Sequence, residues 1–261
     1  MSPIRFVLRS ADPQRLATFY RDALGFSVGD ATTGPSRTIP LRLGAQQVEI
    51  VAVPPDAAPY PADSTSNDSW FQHLALVATD IGAAHERLAA IPGWTPISTG
   101  GGPVLLPPSS GGVRAFKFRD PDGHPLELLE FPPGKIPAAW SRFGRGDGPL
   151  VGIDHSALVV SNLAASLDYY GKLGFLVLAE SENAGPEQDA LDGAVSVAVS
   201  VRALSRSDVP PHLELLAYRE PPVRRGPIEP DGVADTRTVL DEAGACVRDP
   251  DGHAVMVGPG G

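Results

Sequence analysis

The chain has 261 residues, 42% of them apolar and 20% charged, with a formal net charge of −10 and one cysteine; the length suits one large or two ordinary domains. The acidic balance excludes broad binding to nucleic-acid phosphates, because the basic pair Arg224-Arg225 is too short to reverse it. Cys246 excludes an intramolecular disulfide and a cysteine-built zinc site and is expected to be structural, and with no apolar run near the ~20 residues of a membrane span and no visible signal peptide a cytoplasmic location is expected.

Residues 4–12, IRFVLRSAD, read as a strand ending at Asp12, a helix N-cap followed by Pro13 at the first helical position. The next helix carries Leu16, Phe19, Tyr20 and Ala23 at helical spacing and stops near Gly25, and strands are expected over 37–43 and 47–53. The order β-α-β-β-β then recurs. After a connector over 54–69, the strand WFQHLALVA leads to the cap Asp80, the helix IGAAHERLAA and strands near 94–98, 113–118 and 126–131. A Gly- and Pro-rich linker, PPGKIPAAWSRFGRGDGP, reads as a surface crossing between halves. The segments VGIDHSALVVSN, LAASLDYYGKLGF, VLAESE, AVSVAVSVRAL and HLELLAY make a third copy. The fourth has a turn and strand, DPDGHAVMV, and room for a short helix over 236–243. An α+β fold of repeated βαβββ modules is therefore expected, three full and a fourth truncated. Residues 1–131 would form an N-terminal domain of modules one and two, 132–149 the linker, and 150–261 a C-terminal domain of module three and the truncated module four.

Arg5, His73 and His155 each stand seven residues before a cap, at Asp12, Asp80 and Asn162, so they share one place in the first strand of a module. Glu49, Glu127 and Glu214 share another in the last strand, where the fourth copy has Met256. Within FKFRDPDGHPLELLEF, Pro121 and Gly123 specify a tight turn, and strand alternation puts Glu127 and Leu129 on one face. A buried carboxylate there needs a partner. A lone strand histidine is more often a core residue than a ligand, but two histidines and two glutamates at matching positions can converge on one ion. Pairing of modules two and three makes His73, Glu127, His155 and Glu214 the candidate metal ligands, a donor set that suits Zn, Ni, Co, Mn or Fe(II). Pairing of one with four gives no such site and leaves Arg5 and Glu49 to form an ion pair. His124 and His253 are expected as exposed hairpin residues and His85 on a solvated helix face. The pairs Phe19-Tyr20 and Tyr169-Tyr170 are expected in packing, and His212, on a face with Glu214, is a candidate to support it.

The repeated H-x6-[DN] strands, FYRDALGF, GIDHSALVVSN and RDPDGHPLELLEF make the chain similar to the vicinal oxygen chelate superfamily. That group includes glyoxalase I, extradiol dioxygenases, fosfomycin resistance proteins, methylmalonyl-CoA epimerase and bleomycin resistance proteins. The resemblance covers residues 4–218 and part of 232–258. It implies paired modules forming cup-shaped mixed sheets around a divalent ion, with the metal positions falling on His73, Glu127, His155 and Glu214. Arg5 and Met256 depart from the pattern, which implies one site per chain. The extradiol enzymes place their metal in the last two modules, which here lack the required residues.

Two His and two Glu leave about two positions open on a six-coordinate ion, enough to chelate neighbouring substrate oxygens, whereas oxygen activation favours a single carboxylate and three open positions. The expected activity is that of a metal-dependent lyase or isomerase of the glyoxalase type acting on a small oxygenated substrate. As in glyoxalase I, one glutamate, Glu127 or Glu214, would act as catalytic base. The alternatives are an Fe(II)-dependent, extradiol-type dioxygenase and a non-catalytic drug-binding resistance protein, the latter needing none of the four ligands. Specificity is expected from loops such as 181–193. The expected partner is a small molecule, with neither nucleic acid nor membrane, and the chain a monomer or homodimer.

Overall fold

In a computed structural model, which describes residues 4–32, 37–144, 148–226, 228–240 and 244–258, local chemistry sets the element ends. Asp12 accepts the Arg15 N–H at 3.1 Å, Pro13 opens the helix, and Gly25 closes it with φ of 76°. Module one comprises β1 (Arg5–Ser10), α1 (Pro13–Leu24), β2 (Ser27–Val28), β3 (Thr38–Leu43) and β4 (Gln46–Ala52). Module two follows as β5 (Gln72–Ala78), α2 (Ile81–Ala89), β6 (Thr95–Pro96), β7 (Val104–Leu105), β8 (Arg114–Arg119) and β9 (Pro125–Glu130). Module three comprises β10 (Leu150–Val159), α3 (Leu163–Lys172), β11 (Leu176–Ala184), α4 (Pro186–Asp192), β12 (Ala198–Ser205) and β13 (His212–Glu220). The last segment supplies β14 (Arg237–Val239), β15 (Ala245–Arg248) and β16 (Ala254–Val257).

These strands form two mixed sheets. One runs β15-β16-β14-β1-β4-β3-β2 and joins module one to the last segment. The other runs β11-β12-β13-β10-β5-β9-β8-β6, with β7 on β8, and joins module two to module three. Each sheet takes strands from both sides of the linker, so residues 1–131 and 150–261 are hydrogen-bonded to each other in both. The main core lies between the sheets and their helices, gathering Phe6, Tyr20, Leu74, Phe116, Leu128 and Leu215. Burying each such side chain contributes about 1.5–3 kcal/mol.

Four local expectations fail. Residues 237–239 form β14 rather than the start of a helix over 236–243, because their register on β1 completes the first sheet; 241–243 lie outside the described residues. Residues 181–193 are strand and helix, not loop: β11 runs through Ala184 and α4 starts at Pro186. Cys246 is exposed on β15, at the end of its sheet, so it packs no core. His85 is half-buried, its ring 4.6 Å from that of Phe116 in an edge-to-face contact.

The turn histidines depart furthest, because His124 and His253 are both 1% exposed. Asp120 accepts hydrogen bonds from the N–H groups of Asp122 and His124 and from the Tyr20 hydroxyl at 3.1 Å, while His124 Nδ1 lies 2.9 Å from Asp120 Oδ2 and Nε2 3.1 Å from the Val233 carbonyl. Asp249 repeats the arrangement with Tyr170, and His253 Nε2 meets the Val159 carbonyl at 2.9 Å. Gly123 makes the first turn possible: φ is 95°, and a Cβ would lie 2.8 Å from Tyr60. The DPDGH turns thus fasten their own segments to a helix tyrosine and a backbone carbonyl of other modules.

Burial opposes charge on His124, but Asp120 outweighs it and raises the imidazole above its ordinary value. A raised folded-state value means that the pairing stabilises fully below the unfolded value and fades as pH rises through the folded one. His124→Leu is expected to cost about 3–5 kcal/mol in urea unfolding near neutral pH. The gap to wild type should narrow in alkali; a gap that widens would contradict the assignment.

Candidate metal centre

Register brings the candidate residues together. On the second sheet, Lys117 of β8 lies opposite Glu127 of β9, Glu127 opposite Ala75 of β5, Ala75 opposite His155 of β10, and His155 opposite His212 of β13. The next row sets His73 opposite Ala157, Ala157 opposite Glu214, and Glu214 opposite Ala203. Directly opposed residues share a face, so all these side chains point to one side. Ala75 and Ala157 stand between the polar groups and leave room for them to converge.

His73 Nε2 lies 2.8 Å from Glu127 Oε2, and His155 Nε2 lies 3.5 Å from Glu214 Oε2. The two imidazole rings are 5.7 Å apart, and ligand atoms of His73, Glu127 and His155 fall within 4.8 Å of one another. All four expected residues are thus neighbours. His73 is 2% exposed, its Nδ1 meets no hydrogen-bond partner, and its Nε2 lies against the Glu127 carboxylate. Two ligands aimed at a third atom have this geometry, so the residues fit an ion.

The electrostatics favour a cation. Burial and Lys117 hold the His73 imidazole below its ordinary value despite Glu127. Burial disfavours charge on His155, but Glu214 and Asp154 outweigh it and push that imidazole up to about 9. Burial likewise raises the Glu127 and Glu214 carboxyls, yet His73 and Lys117 bring Glu127 below its ordinary value, and His155 and His212 bring Glu214 to about 2. Glu127, Glu214 and Asp154 would remain ionised around a bound divalent ion.

Asp154 was not anticipated, and the reason is a bulge. Alternation puts it on the opposite face from His155, but the β10–β5 register shifts between Ile153 and His155, so both carry toward the site. Asp154 Oδ2 lies 3.0 Å from His155 Nδ1, and Oδ1 accepts from Trp140 Nε1 at 2.7 Å. The tautomer with a proton on Nδ1 leaves Nε2 facing Glu214. The linker is therefore more than a surface crossing: its Trp140 is 4% exposed and supports the histidine's partner. His212 Nε2 lies 3.6 Å from Glu214 Oε1, in the supporting place expected of it.

The opposite wall was also missed. Lys117 Nζ lies 2.7 Å from Asp192 Oδ1, while Gln188 Nε2 and the Tyr218 hydroxyl each donate to Asp192 Oδ2 at 2.8 Å. Lys117 was legible from the alternation Phe116-Lys117-Phe118, which sends it to the face of Glu127; Gln188 and Asp192 arrive on α4, which had no sequence signal beyond Pro186. A cup of about 170 Å3 lies between these walls, and a wider cavity of about 730 Å3 opens beside it past Asp154, His212 and Glu214.

In the first sheet, Arg5 and Glu49 pair at 2.8 Å, as expected. Register puts Arg237 in the place corresponding to His155, and Val239 opposite Met256. Among the described residues that sheet has no histidine at the corresponding positions.

Residues 3–128 match the sequence model of the Glyoxalase/Bleomycin resistance protein/Dioxygenase superfamily. They are a domain of that superfamily. Glyoxalase I from Zea mays aligns at 18% identity over 97% of this chain and 91% of its own, with a TM-score of 0.61. A variant of the same maize enzyme aligns at 19% identity over 97% and 91%, with a TM-score of 0.60. At this identity the likeness shows the fold alone, and it spans both sheets. No curated protein matches the sequence. No helix among the described residues is long and apolar enough to cross a membrane.

Proposed function

We propose that this chain is a metal-dependent lyase or isomerase of the glyoxalase type, acting on a small oxygenated molecule, with His73, Glu127, His155 and Glu214 as ligands of a divalent ion. The observation that carries it is the buried His73 ring, its Nδ1 without a hydrogen-bond partner and its Nε2 2.8 Å from Glu127, facing His155 across small alanines. When bound, the ion supplies Lewis-acid polarisation of two neighbouring substrate oxygens. Glu214 is the base: its side chain is 22% exposed against 8% for Glu127, and it borders both the cup and the wider cavity. Glu214 Oε1 takes a proton from the substrate carbon facing it and returns it to the adjacent carbon. His212 orients that carboxylate, and Glu127, beside Lys117, stays in place.

Assaying methylglyoxal with several thiols under added Ni, Zn, Mn and Fe(II) tests the reading. Turnover to a hydroxy acid thioester supports it, whereas oxygen uptake with Fe(II) would support the dioxygenase reading instead. Trp140→Phe, which removes the donor to Asp154, is expected to weaken zinc binding about tenfold in a competition titration. Unchanged affinity would show that this hydrogen bond does not orient His155.

A further inference from the structure

The wall of the cup facing the ligand set carries polar groups that the proposed chemistry does not use. Asp192, 2% exposed, accepts from Lys117, Gln188 and Tyr218. Because a carboxylate only accepts, the Gln188 amide must turn its nitrogen to Asp192, and this fixes where its oxygen goes. Gln188 is 4% exposed, and its Oε1 is a buried acceptor without a partner. Asn183 Oδ1 is a second such acceptor on the same cup. Lys117 uses one of its three N–H donors on Asp192 and also lines the cup. An acceptor held in place and left without a partner suits a group that donates.

We propose that Gln188, oriented by Asp192, accepts a hydrogen bond from a hydroxyl at the end of the substrate remote from its chelating oxygens. This rests on the metal-chelating reading above and narrows its substrate class to hydroxylated molecules. The hydroxyl donates to Gln188 Oε1, the buried acceptor that has no other partner. A purely alkyl end would leave Oε1 buried and unmatched. The apolar flank of the cup, from Leu106, Leu129, Leu191, Val201 and Leu216, holds the carbon chain between the two ends.

Two probes separate this from the chelation reading. Butanohydroxamic acid chelates through two neighbouring oxygens, and its analogue with a terminal hydroxyl adds only the group in question. Calorimetry on the zinc-loaded protein is expected to show the hydroxylated probe binding roughly fivefold to tenfold more tightly, the ratio of one neutral hydrogen bond. In Gln188→Met that advantage should vanish while the plain hydroxamate keeps its affinity. Equal affinities in the wild type, or an advantage that survives in Gln188→Met, would overturn the inference and leave chelation standing. If neither probe binds, chelation fails and the inference with it. The wild-type comparison decides even if Gln188→Met fails to fold.

Discussion

Protein purified without chelator is expected to carry one divalent ion per chain, and His155→Ala to lose it. His155 occupies the centre of the row, 3.5 Å from Glu214, 3.0 Å from Asp154 and ring-to-ring 5.7 Å from His73. Its removal takes away a nitrogen ligand and leaves Asp154 and Glu214 without the group that holds them. Affinity should fall by more than about a hundredfold, the upper end of what removing a mere supporting residue costs. A bound ion would also stabilise the folded chain: at a thousand times its dissociation constant it would add about 4 kcal/mol. Metal should therefore raise the melting temperature of the wild type and leave that of His155→Ala unmoved. Elemental analysis and melting curves check both halves. A wild-type protein that purifies empty and takes up no ion on titration would sink the metal site and, with it, the enzyme reading.

Much of this site was legible because it is built by repetition. His73 and His155 stand at equal distances from their helix caps, and strand parity then fixes the face each presents. Glu127 and Glu214 follow from the last strand of each module, and the contrast with Arg5 and Met256 predicted that one sheet has the ligand set and the other lacks it. What escaped the sequence was of three physical kinds. Asp154 depends on a bulge, which breaks the parity on which strand reading relies. Trp140, Gln188 and Asp192 depend on tertiary placement of a linker and a short helix, for which periodicity carries no signal. His124 and His253 were misplaced because turn chemistry describes the backbone, not what covers it: each ring meets a carbonyl from a distant segment, while Tyr20 and Tyr170 bond the turn aspartates.

The two glutamates should separate cleanly when each is changed to its amide. Glu127→Gln keeps the shape but removes a charge from a carboxylate 2.8 Å from His73 and opposite Lys117. The lysine then faces the ion without that compensation, so metal affinity should drop sharply, and activity should fall in proportion to metal lost. Glu214→Gln has a different expected outcome. His212 remains 3.6 Å from the same position and the other three ligands stay, so metal is held, more weakly, and can be restored by excess ion. An amide cannot take a proton from carbon, and the loss of general base catalysis should lower kcat by about a hundredfold to ten-thousandfold even at full metal occupancy. The distinguishing measurement is kcat at saturating metal for both variants. If Glu127→Gln is the one that stays inactive when fully loaded, the base is Glu127, and access from the wider cavity does not decide which carboxylate moves the proton.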